Sequence, residues 1–446
     1  MRIRRIHAFW ILPAVLVALA ATGFGLWVKT TRAGRSNTLT AGARSAEGIA
    51  TRSATTTDRR IEVANQAIQR SPSDARGYNQ LCAAFMQKAR ETGDFSFNAR
   101  AEAAVKRSLE VSSDVEDKNF DALKLQTTLL LTYHRFGEAL TAARRAQSLR
   151  PQDHQVYGML TDALVELGDY SAAVQAADKM AELRPSAASY ARVSYLRSLH
   201  GYPDPAIEAM RMAVRASSPS DAEGYAWCRV HLGDELMNTG RRAEAEREYD
   251  AALLVFPEYH LGLAAKARAR AADGELQQAA GYYERAQQRV PLPETAAALG
   301  DLYAKLGRAE DAKRQYELVE VVERSGGGTY SRQLALFWAD HDMHLDEALA
   351  IAKRERAARA DIYTSDALAW CLFKKGDIAA AKSAITEAMR LGTRDARLYY
   401  HAGMIAQAGG ERDAAAKYLK LALATNASFD LLQADVARRA LKDLAQ

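Results

Sequence analysis

Residues 226–257 read AWCRVHLGDELMNTGRRAEAEREYDAALLVFP, and their pattern decides the fold. Leu232-Gly233 and Leu236 lie on one amphipathic helix, Gly240 marks a turn, and Ala245, Tyr249 and Ala252 lie on a second helix that Pro257 ends. The same order recurs with Leu299-Gly300, Tyr303, Gly307, Ala312 and Tyr316, and again with Tyr157, Leu160, Gly168, Ala173, Ala177 and Pro185.

Working outward from this copy, the second-helix alanine recurs at Ala139, Ala173, Ala206, Ala245, Ala279, Ala312, Ala348, Ala381 and Ala415. Successive gaps are 34, 33, 39, 34, 33, 36, 33 and 34 residues. The long gaps coincide with the loop Ser217–Asp221 and with Gly326-Gly327-Gly328. An irregular copy is expected at about 74–113, with extra residues near Gly93-Asp94. A lone second helix through Ile61, Ala64, Ala67 and Ile68 is expected before it.

This phased series resembles the tetratricopeptide repeat, with its L-G-x-x-Y, A-x-x-x-F and terminal Pro. The resemblance covers most of the chain. It implies an all-α, right-handed superhelical solenoid of helix-turn-helix repeats, in which each repeat buries its apolar face only against its neighbours. That is how 446 residues, rich in Ala, Leu, Arg and Glu and holding ten Pro, escape the size limit of a single core. The expected domains are 1–28, a membrane anchor or signal segment; 29–57, a disordered tether; 58–428, the solenoid of about ten repeats; and 429–446, a capping helix. In that last stretch Phe429, Leu432, Val436, Ala440 and Leu444 form one apolar stripe.

Residues 8–28, AFWILPAVLVALAATGFGLWV, contain no charged side chain, which is long enough for a transmembrane helix. Trp10 and Trp27 bracket the run about 26 Å apart on a helix, as interfacial anchors are. The alternative is a signal cleaved at Ala18-Leu19-Ala20 and secretion of the body. Cleavage there leaves an apolar GFGLWV near the new N-terminus, which favours an anchor. Arg2, Arg4 and Arg5 on the inner side place the repeats on the far, periplasmic or extracytoplasmic, face.

Residues 1–60 hold ten Lys/Arg against two acids, whereas the rest carries 50 bases and 53 acids. The positive charge therefore sits beside the apolar segment, where an anionic membrane surface attracts it, and not on a nucleic-acid-binding body. Cys82, Cys228 and Cys371 are isolated and read as small buried thiols.

No P-loop, GxSxG, HExxH or strand-borne GxGxxG occurs, so the expectation is no enzyme, no cofactor and no small-molecule substrate. Asp340-His341-Asp342-Met343-His344 has metal-ligand residue types but falls in an interhelical turn, where Asp and His serve local hydrogen bonds; no metal is expected. His401 reads as a hydrogen-bonded core histidine.

The resemblance implies a protein-interaction scaffold: a membrane-tethered adaptor holding partner proteins or peptides on a concave face lined by first helices. A regulatory or accessory subunit of a membrane-bound envelope enzyme complex is the alternative. Laid on this sequence, the family's inner-face positions select Tyr330 and Phe337 in one repeat, Tyr363, Trp370 and Phe373 in the next, and Arg397, Tyr400 and Met404 in the last. Gln333, Asp340, His341, Asp366, Lys374 and Gln407 lie beside them. Aromatics and Arg are the usual anchors of a binding surface.

Overall fold

The computed structural model describes residues 47–112, 120–325 and 331–445, all helices and turns with no strand among them. A leading helix α1 (Glu47–Arg70) precedes ten helix pairs, numbered here as repeats 1 to 10. They begin with α2 (Ala75–Thr92) and α3 (Ser96–Val111), α4 (Phe120–Thr132) and α5 (Phe136–Leu149), α6 (His154–Glu166) and α7 (Tyr170–Leu183), α8 (Ala187–Leu199) and α9 (Pro203–Ala216), and α10 (Ala222–Asn238) and α11 (Arg242–Val255). They continue with α12 (His260–Ala272) and α13 (Leu276–Arg289), α14 (Pro293–Lys305) and α15 (Ala309–Ser325), α16 (Ser331–Asp340) and α17 (Leu345–Ala358), α18 (Ile362–Lys374) and α19 (Ile378–Ala388), and α20 (Ala396–Ala408) and α21 (Arg412–Thr425). Helix α22 (Gln433–Leu444) follows.

The small residues make the pairs possible. All nine phased alanines are buried. At Gly233 an added Cβ would lie 2.3 Å from Cε1 of Tyr249, and at Gly300 2.4 Å from Cε1 of Tyr316, so each tyrosine ring fills the space that its glycine leaves. The ring then delivers its hydroxyl to the next residue of the first helix: Tyr249 donates to Asp234 and Tyr316 to Asp301, both at 2.9 Å. Leu-Gly-Asp with Tyr on the second helix is thus one packing unit used twice.

The turn between paired helices needs one residue in the left-handed region, which glycine fills at φ 76° in repeats 3, 4, 7 and 10. In repeats 2 and 8, His134 (φ 56°) and Asp342 (φ 55°) stand there instead. That gives the Asp340–His344 cluster a conformational role.

First helices touch the first helices on either side, whereas successive second helices make at most marginal contact, so the ribbon curves with the first helices inside. The curvature brings distant repeats together along a seam. The turn of repeat 3 meets the junction of repeats 8 and 9: Ala360 N–H donates to the Glu166 carbonyl (3.1 Å), and Ile362 N–H to the Tyr170 hydroxyl (2.9 Å). Arg359 pairs with Glu166 and with Asp361 (2.9 Å), and Arg332 with Asp361 (3.1 Å), all inside the protein. The turn of repeat 4 meets the junction of repeats 9 and 10, where the Thr393 hydroxyl bonds the Leu199 carbonyl. Gly168 and Gly201 face Ala360 and Gly392 so closely that a Cβ would fall 2.5 and 2.4 Å from the opposing carbonyl oxygens. One hydrophobic cluster accordingly joins Phe120–Ala209 to Ile362–Ile405.

Two boundaries differ from expectation. Helix α1 begins at Glu47, so residues 47–57 are helical and not part of a disordered tether. The buried Thr57 hydroxyl bonds Glu91 (2.8 Å) and Asp58 pairs with Lys88, and a helix so fixed extends backward at little cost. The last helix starts at Gln433 and not at Phe429, because Asp430 Oδ1 accepts from the N–H groups of Leu432 and Gln433 and closes a turn just ahead of it. Its buried stripe is therefore Gln433, Ala434, Ala437 and Ala440. No described helix is long and apolar enough to cross a membrane. Residues 8–28, 326–328 and Tyr330 lie outside the described residues.

Candidate functional site

The inner face of repeats 7 to 10 brings most of the selected residues together but gives them different parts. Phe337, Trp370 and Tyr400 are 5%, 2% and 3% exposed, which corrects the expectation that they present rings to a partner. The reason is the close approach of first helices. Trp370 donates its indole N–H to Asp340 of α16 (2.7 Å) and stacks on His401 of α20 at 4.1 Å and 15°. His401 is fully buried and bonds Asp366 (2.8 Å). Phe337 packs against Tyr316 and His341, and Tyr400 against Phe429. Tyr363, Phe373, Arg397 and Met404 are half-buried.

Around them lies a polar network. Asp301 accepts from Tyr316 and from Nε2 of His341 (2.7 Å). Burial pulls the His341 pKa down, but this bond to Asp301 outweighs it and holds the imidazole above its ordinary value. Asp340 accepts from Trp370 and Gln433 and lies 3.9 Å from Arg397. Burial raises the Asp340 carboxyl and Arg397 only partly offsets this. Burial also works against the Arg397 charge; Asp340 and Asp430 outweigh it and hold the guanidinium above its usual range. Arg397 reaches Asp430 at 3.1 Å, and Lys305 reaches Asp435 at 3.0 Å.

The two histidines of the Asp340–His344 turn part company: His341 turns inward to Asp301, and His344 lies against Trp338 and 3.7 Å from Glu320. Among the described residues no group of three or more His, Cys, Asp or Glu side chains is placed to hold a metal ion. The three cysteines are buried and their thiols are pushed up to about 12 by burial. What this face can do chemically is bind: it offers half-buried apolar surface, two cations and a set of oriented carboxylates.

Sequence reasoning missed Asp301, Lys305, Phe429, Asp430 and Gln433 as parts of this face. The Leu-Gly-Asp unit was a signal for Asp301. Nothing local signals that the stretch after repeat 10 reaches Lys305, 126 residues earlier.

Residues 396–429, which are repeat 10 and the start of the following turn, match the family model described as Tetratricopeptide repeat. No curated protein matches the chain. Among solved structures the chain is similar to the APC/C hetero-tetramer Cut9-Hcn1, at 16% identity over 90% of this chain and 75% of that one, with a TM-score of 0.39. It is similar to yeast Tom70 at 14% identity over 90% and 95%, with a TM-score of 0.35. It is also similar to a human IFIT1 dimer with PPP-AAAA, at 11% identity over 82% and 94%, with a TM-score of 0.45. The family model thus matches one helix pair of the ten, and eight further pairs share its alanine phase.

Proposed function

We propose that the chain is a non-catalytic protein-interaction scaffold, tethered to a membrane through residues 8–28, that takes a partner protein or peptide on the inner face of repeats 7 to 10. Solenoids of this kind generally mediate protein–protein interaction. The observation that carries the reading is the set Phe373, Arg397 and Met404, half-buried on the neighbouring first helices α18 and α20, with the Phe373 ring stacked on the buried Trp370. Rigid apolar surface beside an arginine is the composition of interaction hot spots. The tether rests on the uncharged run 8–28 and its flanking bases, and the repeats then lie on the extracytoplasmic side. The reading includes no cofactor, metal or nucleic acid.

The test is co-purification of the full chain from solubilised membranes, wild type against Met404→Glu. A partner lost from the variant with its melting temperature unchanged supports the reading. An unchanged partner set contradicts the inner-face site, and recovery of the chain in the soluble fraction contradicts the tether.

A further inference from the structure

A capping helix needs only its apolar stripe, and α22 has one: Ala437 and Ala440 pack in the cluster that holds Leu419 and Ala422 of α21. The turn that leads into it does something more. Phe429 lays its ring against Tyr400 at 5.4 Å. Asp430 turns one oxygen to the α22 N–H groups and the other to Arg397. Leu431 packs against the cluster of repeats 6 and 7 that holds Tyr283 and Tyr303, and its carbonyl accepts from Lys305 (2.8 Å). Lys305 belongs to repeat 7, and its ammonium bonds the Leu431 carbonyl and Asp435, which come from this turn and helix. The segment therefore spans the inner face from repeat 10 to repeat 7 and engages Arg397, one of the residues that the proposed function assigns to a partner.

The geometry points to residues 429–435 as an internal ligand. The inner face of repeats 7 to 10 recognises a short peptide with an aromatic residue, an Asp, leucines and a second acid, and the chain's own Phe429-Asp430-Leu431-Leu432 with Asp435 occupies it until a partner segment of that chemistry displaces it. This rests on the reading of the inner face as a binding surface and names what binds there. The chemistry is complementary: Asp430 meets Arg397, Asp435 meets Lys305, Phe429 meets Tyr400 and Leu431 meets the repeat 6–7 cluster. A tethered copy competes at the high effective concentration of a short linker, so it holds the face closed even with modest intrinsic affinity.

The experiment titrates a fluorescein-labelled peptide of residues 426–436 against the full chain in detergent. The comparison is the full-length variant Phe429→Ala with Asp430→Asn. Asn keeps an oxygen that can accept from the Leu432 and Gln433 N–H groups while removing the charge from Arg397. The variant is expected to bind the peptide at least about tenfold more tightly than wild type, because a site closed by its own ligand loses apparent affinity in proportion. Adding Arg397→Ala to the variant should remove the gain. Equal affinity for wild type and variant, or no binding to a folded variant, overturns the internal-ligand assignment and leaves the segment a cap. Should the variant not fold, hydrogen exchange of the wild-type chain decides: excess peptide should speed exchange at amides 429–435 and leave 362–388 unchanged, and no change at saturating peptide overturns the proposal. If the peptide fails while Met404→Glu still loses a co-purifying partner, the scaffold reading stands and only this ligand chemistry falls. If both fail, both fall.

Discussion

At the seam, Arg359 is enclosed between two folded repeats, 3% exposed against 11% for Glu166. On the inner face, Arg397 is 41% exposed and one of its two carboxylates, Asp430, belongs to a turn outside the repeats. Both are arginine–aspartate or arginine–glutamate contacts between distant parts of the chain, yet their surroundings give them opposite uses. The seam charges have left water altogether, so they hold only while every member is present. The inner-face pair keeps one side in water, where a competing carboxylate can replace Asp430 at little net change. One contact closes the ribbon on itself; the other can be exchanged.

The largest expected effect follows from the seam. Arg359→Ala leaves Glu166 buried without its cation and Asp361 with Arg332 alone, and should lower stability by about 3–5 kcal/mol, read as a fall in the unfolding midpoint. Arg397→Ala should cost no more than about 1 kcal/mol. Equal losses would erase the distinction between the two contacts. Trp370→Ala belongs with the seam in size, at roughly 3–5 kcal/mol, since it empties a buried site between three first helices. A near-unchanged melting curve would return Trp370 to the binding surface.

That last residue shows where the sequence was legible. The alanine phase and the Gly-Tyr pairs were readable because they are local packing needs, met within one repeat. The inner-face set was readable only to within a helix: the side of α18 that lines the groove and the side that meets α16 and α20 are adjacent, and a small rotation moves Trp370 from one to the other. Arg397 and Met404 are half-buried, whereas Phe337 and Tyr400 are buried against neighbouring helices. The seam was not legible at all. Glu166 and Arg359 stand 193 positions apart, and their meeting depends on how small rotations add over the intervening repeats.

A smaller effect sharpens the comparison through pH. Glu235, on α10, accepts a hydrogen bond from Ser198 (3.0 Å) where Glu166 has Arg359. Burial raises the Glu235 carboxyl to about 7, and the Ser198 bond lowers it only in part. A carboxyl raised in the folded state contributes stability that is full below its unfolded value near 4.5 and is lost as pH rises through about 7. Glu235→Gln should therefore raise the unfolding midpoint at pH 8, by about 1–2 kcal/mol in stability, and change little at pH 4. A loss at pH 8 would show that the charged form is stabilised by a contact other than Ser198. The smallest expected effect is on the turn: Phe429→Ala should cost about 1 kcal/mol or less, because its ring is only partly buried and α22 keeps its own stripe.

The central claim, that partners bind inside the curve of repeats 7 to 10, is tested most directly by photo-crosslinking in intact membranes. A photoreactive residue is placed in the full chain either at Met404, on the inner face, or at Leu254, which is 82% exposed on the second helix of repeat 5. The expected result is a discrete crosslinked partner from position 404, reduced by excess unlabelled peptide of residues 426–436, and none from 254. Crosslinks from 254 with none from 404 would contradict the account and move binding to the outer face.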